Sequence, residues 1–160
     1  MYDTRNDLPA DTRARLADLL NARLADAIDL DAQAKHAHWN VKGPNFIALH
    51  ELFDKIAADI REQVDSIAER VTALGGVARG TISTVAKATS LRPYPETIAD
   101  GLQHVEALSA ALGDFGAKVR AGIAQSDQLG DADTADLFTE ISRETDKNLW
   151  FLEAHLFGKR

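Results

Sequence analysis

Between Pro9 and about Ala37, apolar residues return at three- and four-residue steps through Leu16, Leu20, Leu24, Ala27 and Ile28. That period predicts a helix with one buried face. Pro9 suits its first turn, where a missing N–H removes no hydrogen bond. Gly43-Pro44-Asn45 breaks the pattern, and Asn45 stands where the next helix needs an N-cap. A second stripe follows on Phe46, Leu49, Phe53, Ile56, Ile60, Val64, Ile67, Val71 and Leu74, and Gly75-Gly76 closes it.

Residues 77–96 carry no strong period and contain Gly80, Pro93 and Pro95. A connection that long within a compact domain often holds a short helix, expected here near Thr81–Ala88. A third long helix is expected from about Thr97 to Ala124, on Ile98, Leu102, Val105, Leu108, Leu112, Phe115, Val119 and Ile123. Gly101, Gly113, Gly116 and Gly122 lower its intrinsic propensity, so packing must hold it. After Ser126–Gly130, Asp133 reads as the N-cap of a fourth helix on Leu137, Ile141, Leu149, Leu152 and Leu156. No run alternates with the strand period of two.

Four long helices joined short, long, short predict an all-α bundle with one long crossover. The short links make antiparallel hairpins, and the crossover lets the second and third helices run parallel. That is the ferritin-like connectivity. The 160 residues fit one domain spanning 1–160.

Composition narrows the chemistry. A hydrophobic share of 45% supports a real core. No apolar run is long enough to span a membrane. Met1-Tyr2-Asp3-Thr4-Arg5 is followed by no apolar stretch and does not read as a secretory signal, so a cytoplasmic location is expected. With no Cys there is no disulfide, thiolate zinc site or thiol nucleophile. The net charge of -7 serves solubility and cations, and opposes a sequence-independent grip on DNA.

The second helix carries polar residues that its apolar stripe does not need: His50, Asp54, Asp65 and Glu69. His50 with Asp54, and Asp65 with Glu69, are i,i+4 pairs sharing a face. At about 100° per residue the four fall within an arc of roughly 100°. An acidic i,i+4 pair is ordinarily a solvated face, and a lone His is ordinarily a hydrogen-bonded one. Their joint phasing on one stripe is what singles them out.

The stripe has two ends. From Asp54 to Asp65 the helix rises roughly 16 Å, too far for one metal to bridge. Two such helices packed antiparallel about a two-fold axis would bring His50 and Asp54 of one copy against Asp65 and Glu69 of the other. His38, near the end of the first helix, could complete the first end. Oxygen and nitrogen donors without sulfur suit Fe(II), Mn(II) or Zn(II) rather than Cu(I).

The chain resembles the Dps family, the mini-ferritins first described as DNA-binding proteins from starved cells. Ala37-His38-Trp39-Asn40, Gly43-Pro44-Asn45-Phe46, His50-Glu51, Asp54, Asp65, Ala68-Glu69-Arg70 and Leu74-Gly75-Gly76 carry the likeness. It continues through Tyr94-Pro95, Asp133-Thr134-Ala135-Asp136 and Asp146-Lys147-Asn148-Leu149-Trp150-Phe151. The resemblance implies a hollow shell of twelve subunits with ferroxidase sites at two-fold interfaces. His38, His50 and Asp54 would come from one subunit, and Asp65 and Glu69 from its neighbour. Fe(II) would be oxidised there, preferably by hydrogen peroxide, and stored as ferric oxyhydroxide, protecting against oxidative stress; zinc would compete for the site. Trp39 would stand close by and intercept stray oxidising equivalents, or act as a packing aromatic.

By the same resemblance, Asp127, Asp131, Asp133 and Asp136 would line three-fold pores that draw in iron, with Asp131 and Asp136 the better candidates. One or two of them serve equally as helix caps. Many family members bind DNA through a Lys-rich N-terminal tail. Here no Lys precedes Lys35, residues 1–15 hold three Arg against three Asp, and the C-terminus offers Lys159 and Arg160. Strong DNA binding is therefore not expected, although a nucleoid-associated protein with little ferroxidase activity is the competing reading. A bundle whose carboxylates are surface charge alone is the third. His36 is expected to face solvent, and His104 and His155 are given no role.

Overall fold

The computed structural model describes residues 1–157. Helix α1 spans Ala10–Asn40, α2 Phe46–Ala73, the short α3 Ile82–Ala88, α4 Gly101–Gln128 and α5 Ala132–Glu153, with a 3-10 turn at Ala154–Leu156. Among the described residues there is no strand, and one isolated bridge joins Lys42 to Asp100. Helices α1 and α2 pack as one hairpin and α4 and α5 as another; α1 meets α4 and α2 meets α5 to close the bundle. This is the ferritin-like arrangement expected from the spacing of apolar residues.

Most of the stripe residues read from the sequence enter the core, Leu30 and Phe138 join them, and Phe46 stays 42% exposed. Leu16, Leu20, Leu24 and Leu30 interlock with Phe53, Ile56, Ile60 and Ile67, and across the bundle with Leu108, Leu112, Phe115 and Phe138. Each such side chain contributes about 1.5–3 kcal/mol by leaving water. Helices α2 and α3 begin and end within a residue of their expected limits.

Helix α1 runs on to Asn40, past its expected end near Ala37, and both ends of α4 and the start of α5 differ as well. Asn45 holds the N-cap position of α2, but its side chain makes no capping hydrogen bond. Helix α4 starts at Gly101 instead of Thr97, because the Asp100 side chain accepts from Leu102 N and Gln103 N. Gly101 fits closely there: a Cβ would lie 2.5 Å from Leu49 Cδ1 and would have to displace that side chain. Helix α4 then runs on to Gln128, and Gly130 turns the chain at φ 76°. The N-cap of α5 is Asp131, not Asp133: the Asp131 carboxylate accepts from Thr134 N. One histidine, His36, differs from the expectation that it faces solvent: it is half-buried against Tyr94. His104, for which the sequence suggests no role, is fully buried.

The crossover buries little apolar surface, with Val85 and Leu91 its inward side chains. A polar stripe on α1 fastens it. Asn21 donates to the Val77 carbonyl at 3.1 Å and accepts from Arg79 N at 2.9 Å. Asp26, with no exposed surface, accepts from Ser90 N at 2.7 Å and Ser90 Oγ at 2.9 Å, and pairs with Arg23 at 2.8 Å. Asp29 accepts from Thr89 Oγ1 at 2.6 Å, and Gln33 donates to the Arg92 carbonyl at 3.2 Å.

Asp26→Ala strands the Ser90 N–H and the Arg23 guanidinium together. It should destabilise the protein by about 3 kcal/mol in urea unfolding. Hydrogen exchange should quicken first at Ser90 and Leu91; protection there equal to the parent would contradict the fastening role.

Candidate metal centre

His38 lies in the last turn of α1 and His50 near the start of α2, so the tight hairpin between them sets their rings face to face. The centroids are 3.7 Å apart and the planes differ by 23°. Each ring bonds to the other's backbone: His38 Nδ1 lies 2.8 Å from the His50 carbonyl, and His50 Nδ1 2.8 Å from the His38 carbonyl. A carbonyl can only accept, so both Nδ1 atoms carry hydrogen. In the neutral rings both Nε2 atoms then keep a lone pair. Reciprocal bonding therefore fixes tautomer and orientation together, the preparation that a metal-binding imidazole requires.

Asp54 stands one turn beyond His50. Its carboxylate pairs with Lys35 Nζ at 2.6 Å, at a position where its side chain is still 56% exposed. The Lys35 hydrogen bond holds the Asp54 carboxyl below the usual range; desolvation opposes it, and the charges of Lys35, His38 and His50 add to the lowering. Lys35 also sits 5.7 Å from the centroid of the Trp39 ring. Trp39 is 69% exposed and packs into no core.

Asp65 and Glu69 are exposed farther along α2. Among the described residues neither carboxylate has an ion-pair partner, and no three His, Cys, Asp or Glu side chains gather as a metal site. The chain thus brings His38, His50 and Asp54 to one end of the stripe and leaves Asp65 and Glu69 at the other.

The acidic residues near α5 are of two kinds. Asp127 and Asp136 are exposed, and Asp133, with its side chain 85% exposed, lies 3.7 Å from Arg70. Asp131 is buried. Arg70 Nη2 donates to both of its oxygens at 2.8 and 2.9 Å, and Thr134 Oγ1 donates as well. Its carboxylate is committed to the α2–α5 junction, which removes it from the free anions of that surface. Lys159 and Arg160 lie outside the described residues.

Comparison with known proteins decides the family. The ferritin-like domain family matches residues 17–157. The "DNA protection during starvation protein" of Agrobacterium fabrum is 45% identical over 158 residues, covering 99% of this chain and 98% of that protein. The chain belongs to the Dps family. Among solved Dps structures, DpsA14 from Streptomyces coelicolor is 35% identical with a TM-score of 0.92, covering 97% of this chain and 91% of its own. The Dps protein from Vibrio cholerae O1, described as a member of a broad superfamily of ferritin-like diiron-carboxylate proteins, is 26% identical with a TM-score of 0.91. It covers 98% of both chains.

Within this Dps chain, two participants escaped the reading of the sequence. Lys35 shares a helical face with His38 at i,i+3, a signal that was visible, but its reach to Asp54 needs the hairpin closed. Arg70 looked like part of a motif, and its target lies 61 residues away.

The Asp131 network gives a pH signature. Burial pushes the carboxyl up, but hydrogen bonds from Thr134 and Arg70 outweigh it, leaving the group below its usual value. A folded value below the unfolded one means that the stabilisation is complete above the unfolded value and is lost as pH falls through the folded one. Asp131→Asn should therefore melt well below the parent at neutral pH, with the gap narrowing on acidification below about pH 4. A gap that stays constant would exclude this coupling.

Proposed function

We propose that this Dps-family chain is a ferroxidase and iron store, with sites completed by two copies of the chain. The observation that carries this is the imidazole pair, locked by reciprocal backbone hydrogen bonds with both Nε2 lone pairs left over. The separation of this half from Asp65 and Glu69 on a single helix supports sharing across a two-fold axis. The mixed nitrogen and carboxylate donor set fits Fe(II), which is substrate and cargo here, and zinc would compete for the same donors.

The preferred oxidant is hydrogen peroxide. Two ferrous ions each give up one electron, the O–O bond breaks, and with two waters the products are two ferric oxyhydroxide units and four protons. Taking both electrons together leaves no hydroxyl radical, which protects nucleic acid chemically. The assembly that would hold the mineral is a hollow dodecamer. Asp127, Asp133 and Asp136 would draw cations toward its entry pores; Asp131 would instead brace them through Arg70. Trp39, exposed beside His38, would take stray oxidising equivalents.

The chain would act in the cytoplasm. Nucleoid association is the lesser reading: a net charge of -7 opposes a sequence-independent grip on phosphates.

Ferric absorbance after mixing metal-free protein with Fe(II) and peroxide tests the proposal. Asp65→Ala with Glu69→Ala should slow the reaction on the order of 100-fold. A second variant, His38→Ala with His50→Ala, should be equally slow. Co-assembling the two from dissociated subunits should rebuild about a quarter of the sites, because each site draws one half from each copy. No recovery, or full rate in an isolated monomer, would refute shared sites.

A further inference from the structure

Tyr94 closes the crossover just before α4, and His104 lies in the first turns of that helix. The Tyr94 hydroxyl lies 2.7 Å from His104 Nδ1, with the two rings 16° from parallel. His104 has no exposed surface, and its Nε2 closes no hydrogen bond among the described residues. Burial pushes the imidazole's pKa down, with His36 acting in the same direction and the Ile98 carbonyl and Asp100 opposing. Burial pushes the Tyr94 phenol up. A protonated phenol therefore faces a neutral imidazole, and in the tautomer with hydrogen on Nε2 the phenol donates to the Nδ1 lone pair.

Access is lopsided. Tyr94 forms part of the wall of a cleft of about 180 Å3 with Gln33, Arg92 and Asp114, so its ring can be reached from outside. His104 behind it cannot. A phenol that loses an electron becomes a strong acid, and oxidation is easy only where a base already holds the proton. Trp39, 69% exposed, has no such base among its described contacts.

We propose that Tyr94 and His104 form a proton-coupled one-electron relay that quenches oxidants of the hydroxyl-radical class. Tyr94 gives one electron to the oxidant, reducing a hydroxyl radical to hydroxide. Its phenolic proton passes to His104 Nδ1, leaving a neutral tyrosyl radical beside an imidazolium. One electron from a reductant such as ferrous iron or ascorbate, with the proton returned from Nδ1, restores the pair. Burial makes the imidazolium costly, which drives that return. The relay does not rest on the ferroxidase reading, and its test contains no iron.

The chain has two tyrosines, so Tyr2→Phe isolates Tyr94. The full-length Tyr2→Phe protein, exposed to a flash-generated ruthenium(III) polypyridyl oxidant, should show a tyrosyl radical by transient absorption and by electron paramagnetic resonance. Adding Tyr94→Phe should abolish it, and deuterium oxide should slow its formation. His104→Gln keeps a hydrogen-bonding side chain without a basic nitrogen, and should cut the radical yield about tenfold or more. An undiminished yield in folded His104→Gln overturns the relay. If that variant does not fold, formation in Tyr2→Phe at one rate in light and heavy water overturns it equally, as does oxidation of tryptophan alone.

Discussion

Helix α1 works on two sides, and the second side decides the topology. Its leucines enter the core as any amphipathic helix would, while Asn21, Asp26 and Gln33 grip the backbone of the crossover and Asp29 holds the Thr89 hydroxyl. A link so poor in apolar side chains cannot hold itself down by burial. Its N–H and carbonyl groups need partners, and α1 provides them at spacings that keep one face. Because the crossover is laid along α1, α4 enters the bundle at a set height. There Lys42 N donates to the Ala99 carbonyl at 2.9 Å and Gly101 presses on Leu49. The parallel placement of α2 and α4 follows from this fastening.

The same hairpin geometry orders the chemistry. A five-residue turn between α1 and α2 forces His38 and His50 together, and each ring uses the other's carbonyl as its anchor. Neither imidazole depends on a distant side chain for orientation, so the pair is rigid at the level of the backbone. Asp54 is different: its anchor is the flexible ammonium of Lys35, an exposed contact that a stronger cation can displace. Asp65 and Glu69 are exposed and have no ion-pair partner among the described residues. Carboxylates left so in one chain are stable while solvated, and bringing them against a second set of donors would require a cation between them.

Tyr94 and His104 belong to the same logic. The crossover ends by carrying a phenol over the first turns of α4, where the bundle has already buried an imidazole. One short hydrogen bond joins the Tyr94 hydroxyl to His104 Nδ1, while Nε2 closes none among the described residues.

The helical periods, the glycines at 75 and 76 and the phasing of His50, Asp54, Asp65 and Glu69 are local properties of the chain. They determined the four long helices and the split of the stripe into two ends, because a helix repeats every 3.6 residues whatever it later touches. The cap of α5 escaped that reading: both Asp131 and Asp133 can cap in isolation, and Arg70, arriving from α2, selects Asp131. His36 and His104 escaped it too, since a histidine's burial depends on the faces that close over it. Tertiary structure alone decided these points, along with the imidazole tautomers and the Lys35–Asp54 pair. Each is a contact between groups far apart in sequence, and no local period encodes which of several possible partners will be within reach.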